Sequence, residues 1–331
     1  MAGLSNPANC MPLDMDALVH PDLRDIFASL PKTEEISIEG LRRGAAYDPK
    51  SLGSDAEVTV EDRFIGKDGL PKLRVRVYSP ARPSSPRLPA VLWIHGGGHL
   101  RGTPERSEGF SKRLVKTLNC IVVSPDYRLA PENPFPADTD DCYAALEWLA
   151  DTENNGLPID ATRIAVMGAS AGGGLAVSTA LKARDLNGPK IRFLLSLYPM
   201  LDCRLCTASS RQITDSRVIN RAGCEFAWQA YLGGFEGMDR PYDWTAVSPY
   251  ASPSLAEDVS GLPPAYFMIG GLDPLRDETI AFAQLMMAAG IPTELHVIPG
   301  AFHAFELIAR TQLGVMVQNE YIEALRKGLG L

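Results

Sequence analysis

Three residues whose types could support catalysis, Ser170, Asp273 and His303, lie far apart in the chain but in similar sequence surroundings. Each follows a short apolar run that is typical of a buried strand. A serine hydroxyl is a weak nucleophile until a base accepts its proton, and a neutral imidazole can do this near pH 7. A carboxylate can then orient the imidazole and stabilise the imidazolium that forms. The combination predicts a nucleophilic serine supported by a base and an acid.

The serine lies in the stretch Gly-Ala-Ser-Ala-Gly at 168–172, between an apolar run and a helical pattern. A serine on a sharp turn from strand to helix has a strained backbone, and side chains at Gly168 or Gly172 would collide with that turn. The turn would expose the hydroxyl and direct the N-terminus of the next helix toward developing negative charge. The plainer alternative is an ordinary turn of small residues.

Asp273 and His303 also have plainer interpretations. Asp273 precedes Pro274, which suits a helix N-cap, and a loop histidine is usually only a polar surface residue. Asp277 and Glu278 compete for the acid role but fit better as charges at the start of a helix. The catalytic interpretation therefore depends on the combination of the three residues.

A further candidate is the stretch His-Gly-Gly-Gly at 95–98, which directly follows the predicted strand Ala90–Ile94. Glycines expose backbone N–H groups without side chains in the way. A carbonyl oxygen that gains negative charge could accept hydrogen bonds from two of these groups and from the N–H that follows Ser170. The alternative is a flexible turn. The glycines do not fit a dinucleotide motif, and the chain has no phosphate-binding P-loop sequence.

A sheet must position these residues, because short apolar runs alternate with helical patterns along most of the chain. Six runs predict buried parallel strands: Ala90–Ile94, Cys120–Val123, Ile164–Met167, Phe193–Leu197, Ala265–Ile269 and Glu294–Ile298. Helices are predicted between most of them: Ser107–Leu118, Ala137–Ala150, Ala171–Asp185 and Glu278–Ala289. Two earlier alternating runs predict antiparallel strands joined by a turn at 66–69: Val58–Phe64 and Leu73–Tyr78. The expected fold is α/β, with a mostly parallel sheet of roughly eight strands covered by helices on both faces.

Two regions depart from this alternation. Residues 1–50 predict two short helices interrupted at Pro21 and then a loop through Pro49, and we expect them to form an N-terminal helical cap segment. Residues 51–331 are expected to form one catalytic domain in which 201–249 is inserted as a second cap segment, with a helix at Cys224–Tyr231. The insertion is too long for an ordinary connection, and a lid over the strand ends would exclude water.

The motifs in combination resemble the hormone-sensitive-lipase-like branch of the α/β-hydrolases. They are His-Gly-Gly-Gly at 95–98, Asp-Tyr-Arg-Leu-Ala-Pro-Glu at 126–132, Gly-Ala-Ser-Ala-Gly-Gly at 168–173 and Asp-Pro-Leu-Arg-Asp-Glu at 273–278. The chain order serine, acid, histidine is also that of α/β-hydrolases. The resemblance extends from about Leu73 to Leu325.

This resemblance implies a carboxylesterase that acts on acyl esters without a metal or a cofactor. It implies Ser170 as nucleophile, His303 as base and Asp273 as acid. The oxyanion donors would be the backbone N–H groups of Gly97, Gly98 and Ala171. His95 would be structural and hold the glycine loop. Many members carry Asp or Thr at the position of Ala169, and we expect the alanine to alter local hydrogen bonding without loss of activity.

Four residues near predicted strand ends or on the predicted lid helix are candidate walls of a substrate pocket: His99, Leu100, Tyr198 and Trp228. Each fits an ordinary core position equally well. Asp126 and Arg128 are interpreted as a structural ion pair near the site.

Composition narrows the class of protein. A net charge of −8 over 331 residues argues against a nucleic-acid partner and gives no reason to expect an anionic membrane. The first residues do not resemble a secretory signal, and no apolar run is long enough to span a membrane. The six cysteines do not suggest a disulfide scaffold, which favours a cytoplasmic location. The single C-x-x-C, Cys203 and Cys206, has no zinc-like or thioredoxin-like context and is interpreted as two thiols.

The leading hypothesis is a cytoplasmic serine carboxylesterase for small or medium acyl chains, which works through an acyl-enzyme on Ser170. The alternative is a lactone or natural-product acyl hydrolase, or a lyase, of specialised metabolism. A non-catalytic small-molecule receptor is a further alternative, disfavoured because such receptors replace the histidine that is present here as His303. The expected partner is a small-molecule ester. The last predicted strand, Glu294–Ile298, is expected at a sheet edge and leaves a homodimer open.

Overall fold

One mixed sheet dominates the computed structural model, which describes residues 11–44, 55–66, 72–234, 246–308 and 311–331. Its strands are β1 (Val58–Ile65), β2 (Leu73–Pro80), β3 (Leu88–Ile94), β4 (Ile121–Pro125), β5 (Ile159–Ala169), β6 (Phe193–Leu197), β7 (Ala265–Leu272) and β8 (Thr293–Phe302). The eight strands lie in the order β1-β2-β4-β3-β5-β6-β7-β8. The β1–β2 and β2–β4 pairs are antiparallel, and the others are parallel. The predicted fold class is confirmed, while most of the predicted turn at 66–69 lies outside the described residues.

Helices cover both faces of this sheet. In the described residues the α-helices are α1 (Met15–Leu18), α2 (Arg24–Ser29), α3 (Ile38–Gly44), α4 (Glu108–Leu118), α5 (Ala137–Ala150), α6 (Ala171–Asp185), α7 (Ala208–Gln212), α8 (Arg221–Tyr231), α9 (Arg276–Ala288), α10 (Phe305–Ile308) and α11 (Gln312–Leu329). The four helices predicted between the strands are confirmed as α4, α5, α6 and α9. None of the described helices combines the length and apolarity needed to cross a bilayer.

The two faces of the sheet have separate cores, because successive residues of a strand point to opposite sides. Val91 and Trp93 of β3 belong to one core, together with residues of α4 and α11. Ala90, Leu92 and Ile94 belong to the other core, together with residues of α5, α6 and α9. Burial on both faces explains the continuous apolar runs of the sequence. The sheet is therefore a rigid scaffold, and the carboxyl ends of its strands position the loops that follow them.

Helix α3 lies where a loop through Pro49 is expected, so that expectation is wrong for Ile38–Gly44. The helix begins here because the Ser37 side-chain oxygen accepts a hydrogen bond from the Gly40 N–H at 3.1 Å. The last part of the expected loop, from residue 45 onward, lies outside the described residues.

Helix α11 also has no counterpart in the prediction. Its N-cap Thr311 accepts a hydrogen bond from the Gly314 N–H at 3.0 Å, and Gly330 ends it with a φ of 71°. Buried apolar residues repeat every four positions along it: Leu313, Val317, Tyr321 and Leu325. This spacing is a helical signal that the sequence does contain.

The predicted helix at Cys224–Tyr231 is confirmed as α8, which begins earlier, at Arg221. The earlier start follows from the N-cap Asn220, whose Oδ1 accepts a hydrogen bond from the Gly223 N–H at 3.0 Å. The rest of the inserted segment contains α7, and its residues 235–245 lie outside the described chain.

The N-terminal helices pack against this inserted segment. The Leu13 N–H donates to the Gln212 carbonyl at 3.0 Å. The Arg217 guanidinium donates to both carboxylate oxygens of Asp16, at 2.9 and 2.8 Å, and stacks over the Phe27 ring at 3.9 Å. Two segments that are distant in sequence are therefore joined in space.

Candidate active site

Ser170 occupies a sharp turn between β5 and α6. Its backbone has φ 57° and ψ −124°, a conformation that is uncommon for a residue with a side chain. Backbone hydrogen bonds hold the turn, since the Ser170 N–H donates to Leu197 O at 2.9 Å and its carbonyl accepts from Met200 N–H at 3.1 Å. The turn leaves the side-chain oxygen at the carboxyl end of the sheet.

The glycines around Ser170 are required by close backbone contacts. A Cβ on Gly168 would lie 2.0 Å from the Gly172 carbonyl oxygen, and a Cβ on Gly172 would lie 2.2 Å from the Ile94 carbonyl oxygen. Backbone atoms cannot yield as a flexible side chain can. The steric reason inferred for Gly168 is therefore confirmed, whereas Gly172 is required by the end of β3 and the start of the glycine loop and not by the turn itself.

Asp273 follows β7 and His303 follows β8, and the topology brings both to Ser170. His303 Nε2 lies 2.9 Å from Ser170 Oγ, and its Nδ1 lies 2.7 Å from Asp273 Oδ2. Asp273 is fully buried, and its other oxygen accepts a hydrogen bond from the Leu275 N–H at 2.9 Å. With Nδ1–H donating to the carboxylate, Nε2 carries the lone pair that faces the serine hydroxyl.

The glycine loop packs directly against the serine turn. A Cβ on Gly96 would lie 2.7 Å from Ala169 O, and one on Gly97, whose φ is 135°, would lie 1.9 Å from Arg101 O. Gly98 has a φ of 64°. Within the described chain, no backbone hydrogen bond uses the N–H of Gly97 or Gly98, so both donors are free for a ligand.

His95 anchors the start of this loop. Its ring is buried and stacks on Tyr127 with the ring centroids 4.3 Å apart, and its Nδ1 lies 2.9 Å from Gly96 O. Burial lowers the pKa of His95 to about 4, so the ring is neutral near pH 7. A neutral ring can donate its Nδ1–H to the Gly96 carbonyl and fix the loop.

Arg42 of α3 is a supporting residue that sequence reasoning missed. Its guanidinium donates to the carbonyls of Leu100 at 2.9 Å and Ala130 at 3.1 Å, and it pairs with Glu132 at 2.6 Å. The guanidinium lowers the pKa of the Glu132 carboxyl to about 2. The N-terminal segment thus clamps the end of the glycine loop, and no local signal indicates contacts at such sequence distances.

The predicted pocket residues fall into two groups. His99 and Trp228 lie together with ring centroids 6.0 Å apart, and Leu100 follows His99; all three side chains are buried. Tyr198 instead packs against His303, with ring centroids 4.7 Å apart at 64°. Contact of these residues with a substrate stays a prediction.

Tyr198 connects His303 to a buried acid that sequence reasoning missed. The Tyr198 hydroxyl donates to Glu306 Oε1 at 2.7 Å. Glu306 is only 3% exposed, and burial raises the pKa of its carboxyl to about 7. Glu306 belongs to α10, which begins at Phe305, just after His303.

The competing acids at the start of α9 do not reach His303 within hydrogen-bond distance. Asp277 pairs with Arg276 at 2.7 Å, as expected for a charge in the first turn of a helix. Glu278 is buried and accepts the N–H groups of Leu201 and Asp202, at 2.8 and 3.1 Å, and burial raises its pKa. These two hydrogen bonds fix the backbone of Leu201 and Asp202, where the inserted segment begins.

The expected ion pair between Asp126 and Arg128 is wrong. Asp126 pairs with Arg74 of β2 at 2.9 Å, and Arg128 pairs with Asp141 of α5 at 2.8 Å. The two residues are two positions apart and face different neighbouring elements, so each takes a separate partner.

Among the described residues, the cysteines and the one cluster of metal-ligating residue types are not part of the hydrogen bonds that join Ser170, His303 and Asp273. Cys203 is buried and Cys206 exposed, and both are free thiols. In the described part of the chain, one group has side chains close enough to hold a metal ion: Glu294, His296 and Glu320, on β8 and α11. Its imidazole already pairs with both carboxylates, at 2.6 and 2.8 Å.

Comparison with known proteins identifies the fold family and the class of activity. A family profile described as an alpha/beta hydrolase fold matches residues 91–307. The chain is 36% identical over 249 residues to the carboxylesterase NlhH of Mycobacterium tuberculosis, covering 75% of this chain and 76% of the relative. It is 30% identical over 295 residues to an ethyl acetate hydrolase of Pseudomonas putida, covering 86% of each. A solved bacterial heroin esterase superposes with a TM-score of 0.87 at 38% identity, covering 95% of this chain and 98% of that one.

These matches span most of the chain, and the family profile includes both the glycine loop and the serine turn. The chain therefore belongs to the α/β-hydrolase family, in its hormone-sensitive-lipase-like carboxylesterase branch, and is a carboxylic ester hydrolase.

Proposed function

We propose that Ser170, His303 and Asp273 form the catalytic triad of this hydrolase. His303 Nε2 accepts the Ser170 proton while Oγ attacks the ester carbonyl carbon. Collapse of the tetrahedral intermediate expels the alcohol, which takes that proton, and leaves an acyl group on Ser170. Water then loses a proton to His303 and attacks the acyl carbon, and the acid leaves as Ser170 regains its proton. The supporting observation is the distance of 2.9 Å between Nε2 and Oγ.

The negative charge of the tetrahedral oxygen is stabilised by backbone N–H groups of Gly97, Gly98 and Ala171. The loop at 96–98 lies against the serine turn, and its free donors are fixed before substrate binds. Preorganised donors of this kind lower the barrier because they do not have to reorient as the charge develops. One such donor is typically worth about 10²–10³ in rate.

The substrate class is esters with small or medium acyl chains. Helix α8 forms one wall beside the glycine loop, since a Cβ at Gly98 would be in ordinary van der Waals contact with Ala227 at 3.5 Å. The neighbouring rings of Trp228 and Tyr231 are buried and in contact with His99. The ethyl acetate hydrolase among the relatives acts, by its name, on a small ester.

Segments 1–50 and 201–249 form a cap over a catalytic domain that comprises the rest of 51–331. The contacts of Leu13 and Arg217 that join the two segments support this division. The protein works in the cytoplasm, an assignment supported by the free thiols of the described cysteines. A homodimer forms through β8, the last strand of the sheet, on which Val297 is 38% exposed.

The triad is tested with Ser170→Ala in hydrolysis of p-nitrophenyl esters with acyl chains of increasing length. We expect kcat to fall by roughly 10⁴-fold or more, whereas Ser178→Ala, in the helix α6 that follows the turn, keeps wild-type activity. A fluorophosphonate probe should label the wild type and the Ser178 variant but not the Ser170 variant. Undiminished hydrolysis by Ser170→Ala would refute the triad, and absence of labelling in the wild type would favour the receptor alternative.

A further inference from the structure

His99 follows the glycine loop with its backbone in the left-handed region, at a φ of 63°. A side chain is disfavoured in this region because its Cβ approaches the following carbonyl oxygen. His99 is directly bonded to Gly98, whose N–H is a proposed oxyanion donor. Whatever holds His99 in this conformation therefore also sets the position of that N–H.

Two side chains hold the imidazole of His99. Its Nδ1 lies 2.7 Å from Asp138 Oδ2, and the ring of Tyr231 stacks on it with the centroids 3.8 Å apart and the planes at 9°. His99 and Asp138 are each 2% exposed, and Tyr231 is 1% exposed. Since Asp138 lies in the first turn of α5 and Tyr231 ends α8, the contacts join the loop to the core and to the inserted segment.

The partners of His99 are themselves fixed. Asp138 Oδ1 accepts the Thr139 N–H at 2.6 Å, and the Thr139 hydroxyl lies 3.2 Å from the Tyr231 hydroxyl. His99 Nε2 is buried and has no hydrogen-bond partner among the residues that the structure describes. The bond to Asp138 is thus the one hydrogen bond of the described chain that orients this ring. Its length equals that between His303 and Asp273 in the triad.

We propose that His99, held by Asp138, is a positioning residue that fixes the Gly98 N–H for the oxyanion. The proposal rests on the oxyanion role given to Gly98 above. Stabilisation of the oxyanion exists in the transition state and not in the bound ester. A displaced Gly98 N–H therefore lowers kcat and leaves KM nearly unchanged.

The test compares His99→Phe, Asp138→Ala and the double variant in p-nitrophenyl acetate hydrolysis. Phenylalanine keeps a ring for stacking on Tyr231 but cannot bond to Asp138. Each single variant should lower kcat by about tenfold, less than loss of a donor, with KM within about twofold. The double variant should be no slower than either single one, because both remove the same interaction. His296→Phe, which removes another His–carboxylate pair at 2.6 Å, is the matched control and should keep wild-type kcat.

A trifluoromethyl ketone provides a readout that a purely structural role would not change, because its serine adduct carries an oxyanion. Its affinity should fall by the same factor as kcat/KM in the His99 and Asp138 variants that remain folded by circular dichroism.

Unchanged kcat, a rise in KM alone, or additive losses in the double variant would overturn the proposal. If these variants are fully active while Ser170→Ala is inactive, the positioning role fails and the triad stands. If the single variants do not fold, Asp138→Asn, which keeps an oxygen for His99 Nδ1–H, is compared with the wild type: its kcat should fall by less than about tenfold, and a loss of about tenfold or more overturns the proposal.

Discussion

Replacing Glu306 by glutamine should change how the stability of this protein depends on pH. Glu306 is 3% exposed, and burial raises the pKa of its carboxyl from 4.5 to about 7 in the folded chain. A group whose pKa is raised on folding contributes stability that is fully present below pH 4.5. That contribution is lost as the pH rises through about 7, because the folded state resists ionisation of the buried carboxyl. Glutamine cannot ionise and keeps an oxygen that can accept from the Tyr198 hydroxyl.

The size of the effect follows from the two pKa values. A rise from 4.5 to about 7, at about 1.4 kcal/mol for each pKa unit, corresponds to about 3 kcal/mol in the free energy of unfolding. Because the side chain is buried, solvent screening does not reduce this figure as it would for a surface group. Titrating groups that do not interact with Glu306 act equally in both proteins and cancel in the difference.

Urea unfolding of the wild type and of Glu306→Gln between pH 4.5 and pH 8 measures this difference. The stability of the variant relative to the wild type should rise by about 3 kcal/mol across the range. Glu34→Gln, at an exposed carboxylate, is the matched control and should show a constant difference. A difference that stays the same for Glu306→Gln at both ends of the range would show that this carboxyl ionises freely in the folded protein.

Two further predictions concern the serine turn and the acid. Gly168→Ala should abolish ester hydrolysis and lower Tm, because the new Cβ would lie 2.0 Å from Gly172 O; a fully active, equally stable variant would refute the steric argument. Asp273→Asn should lower kcat by about 10⁴-fold at pH 7, since an amide no longer fixes the tautomer in which His303 Nε2 faces Ser170. Steady-state kinetics on p-nitrophenyl acetate tests this, and a loss below tenfold would exclude the acid role of Asp273.

The sheet and the meeting of Ser170, Asp273 and His303 can be predicted from the sequence, because the patterns that indicate them lie within short stretches of the chain. The parallel strands β3 to β7 are mostly buried on both faces and therefore appear as short apolar runs, whereas β8 at the sheet edge is partly exposed. Ser170, Asp273 and His303 each follow such a run, and a parallel sheet brings carboxyl ends to one edge. The distances of 2.9 and 2.7 Å at His303 follow from that topology.

Ion pairs and hydrogen bonds between residues that are distant in the chain cannot be predicted in this way. The sequence suggests that Asp126 and Arg128 pair with each other because they are close in the chain, yet each faces a different element and finds a partner there. The bond between His99 and Asp138 joins residues 39 positions apart. Nothing in the local sequence of either residue indicates the other.

The two helices missed from the sequence differ in kind. Helix α11 can be predicted from the sequence, since its buried residues repeat every four positions and Thr311 caps it. Helix α3 is short and contains Gly40 and Gly44, which are poor helix formers. Its stability depends on tertiary contacts such as that of Arg42 with Leu100 O, 58 positions away. A propensity argument cannot include such contacts.

The most direct test of the catalytic centre is a crystal structure of the protein after reaction with a phosphonate ester. The phosphorus should be bonded to Ser170 Oγ, with its unsubstituted oxygen about 3 Å from the N–H groups of Gly97, Gly98 and Ala171. A phosphonate bonded to a different residue, or an adduct oxygen directed away from these three donors, would contradict the account.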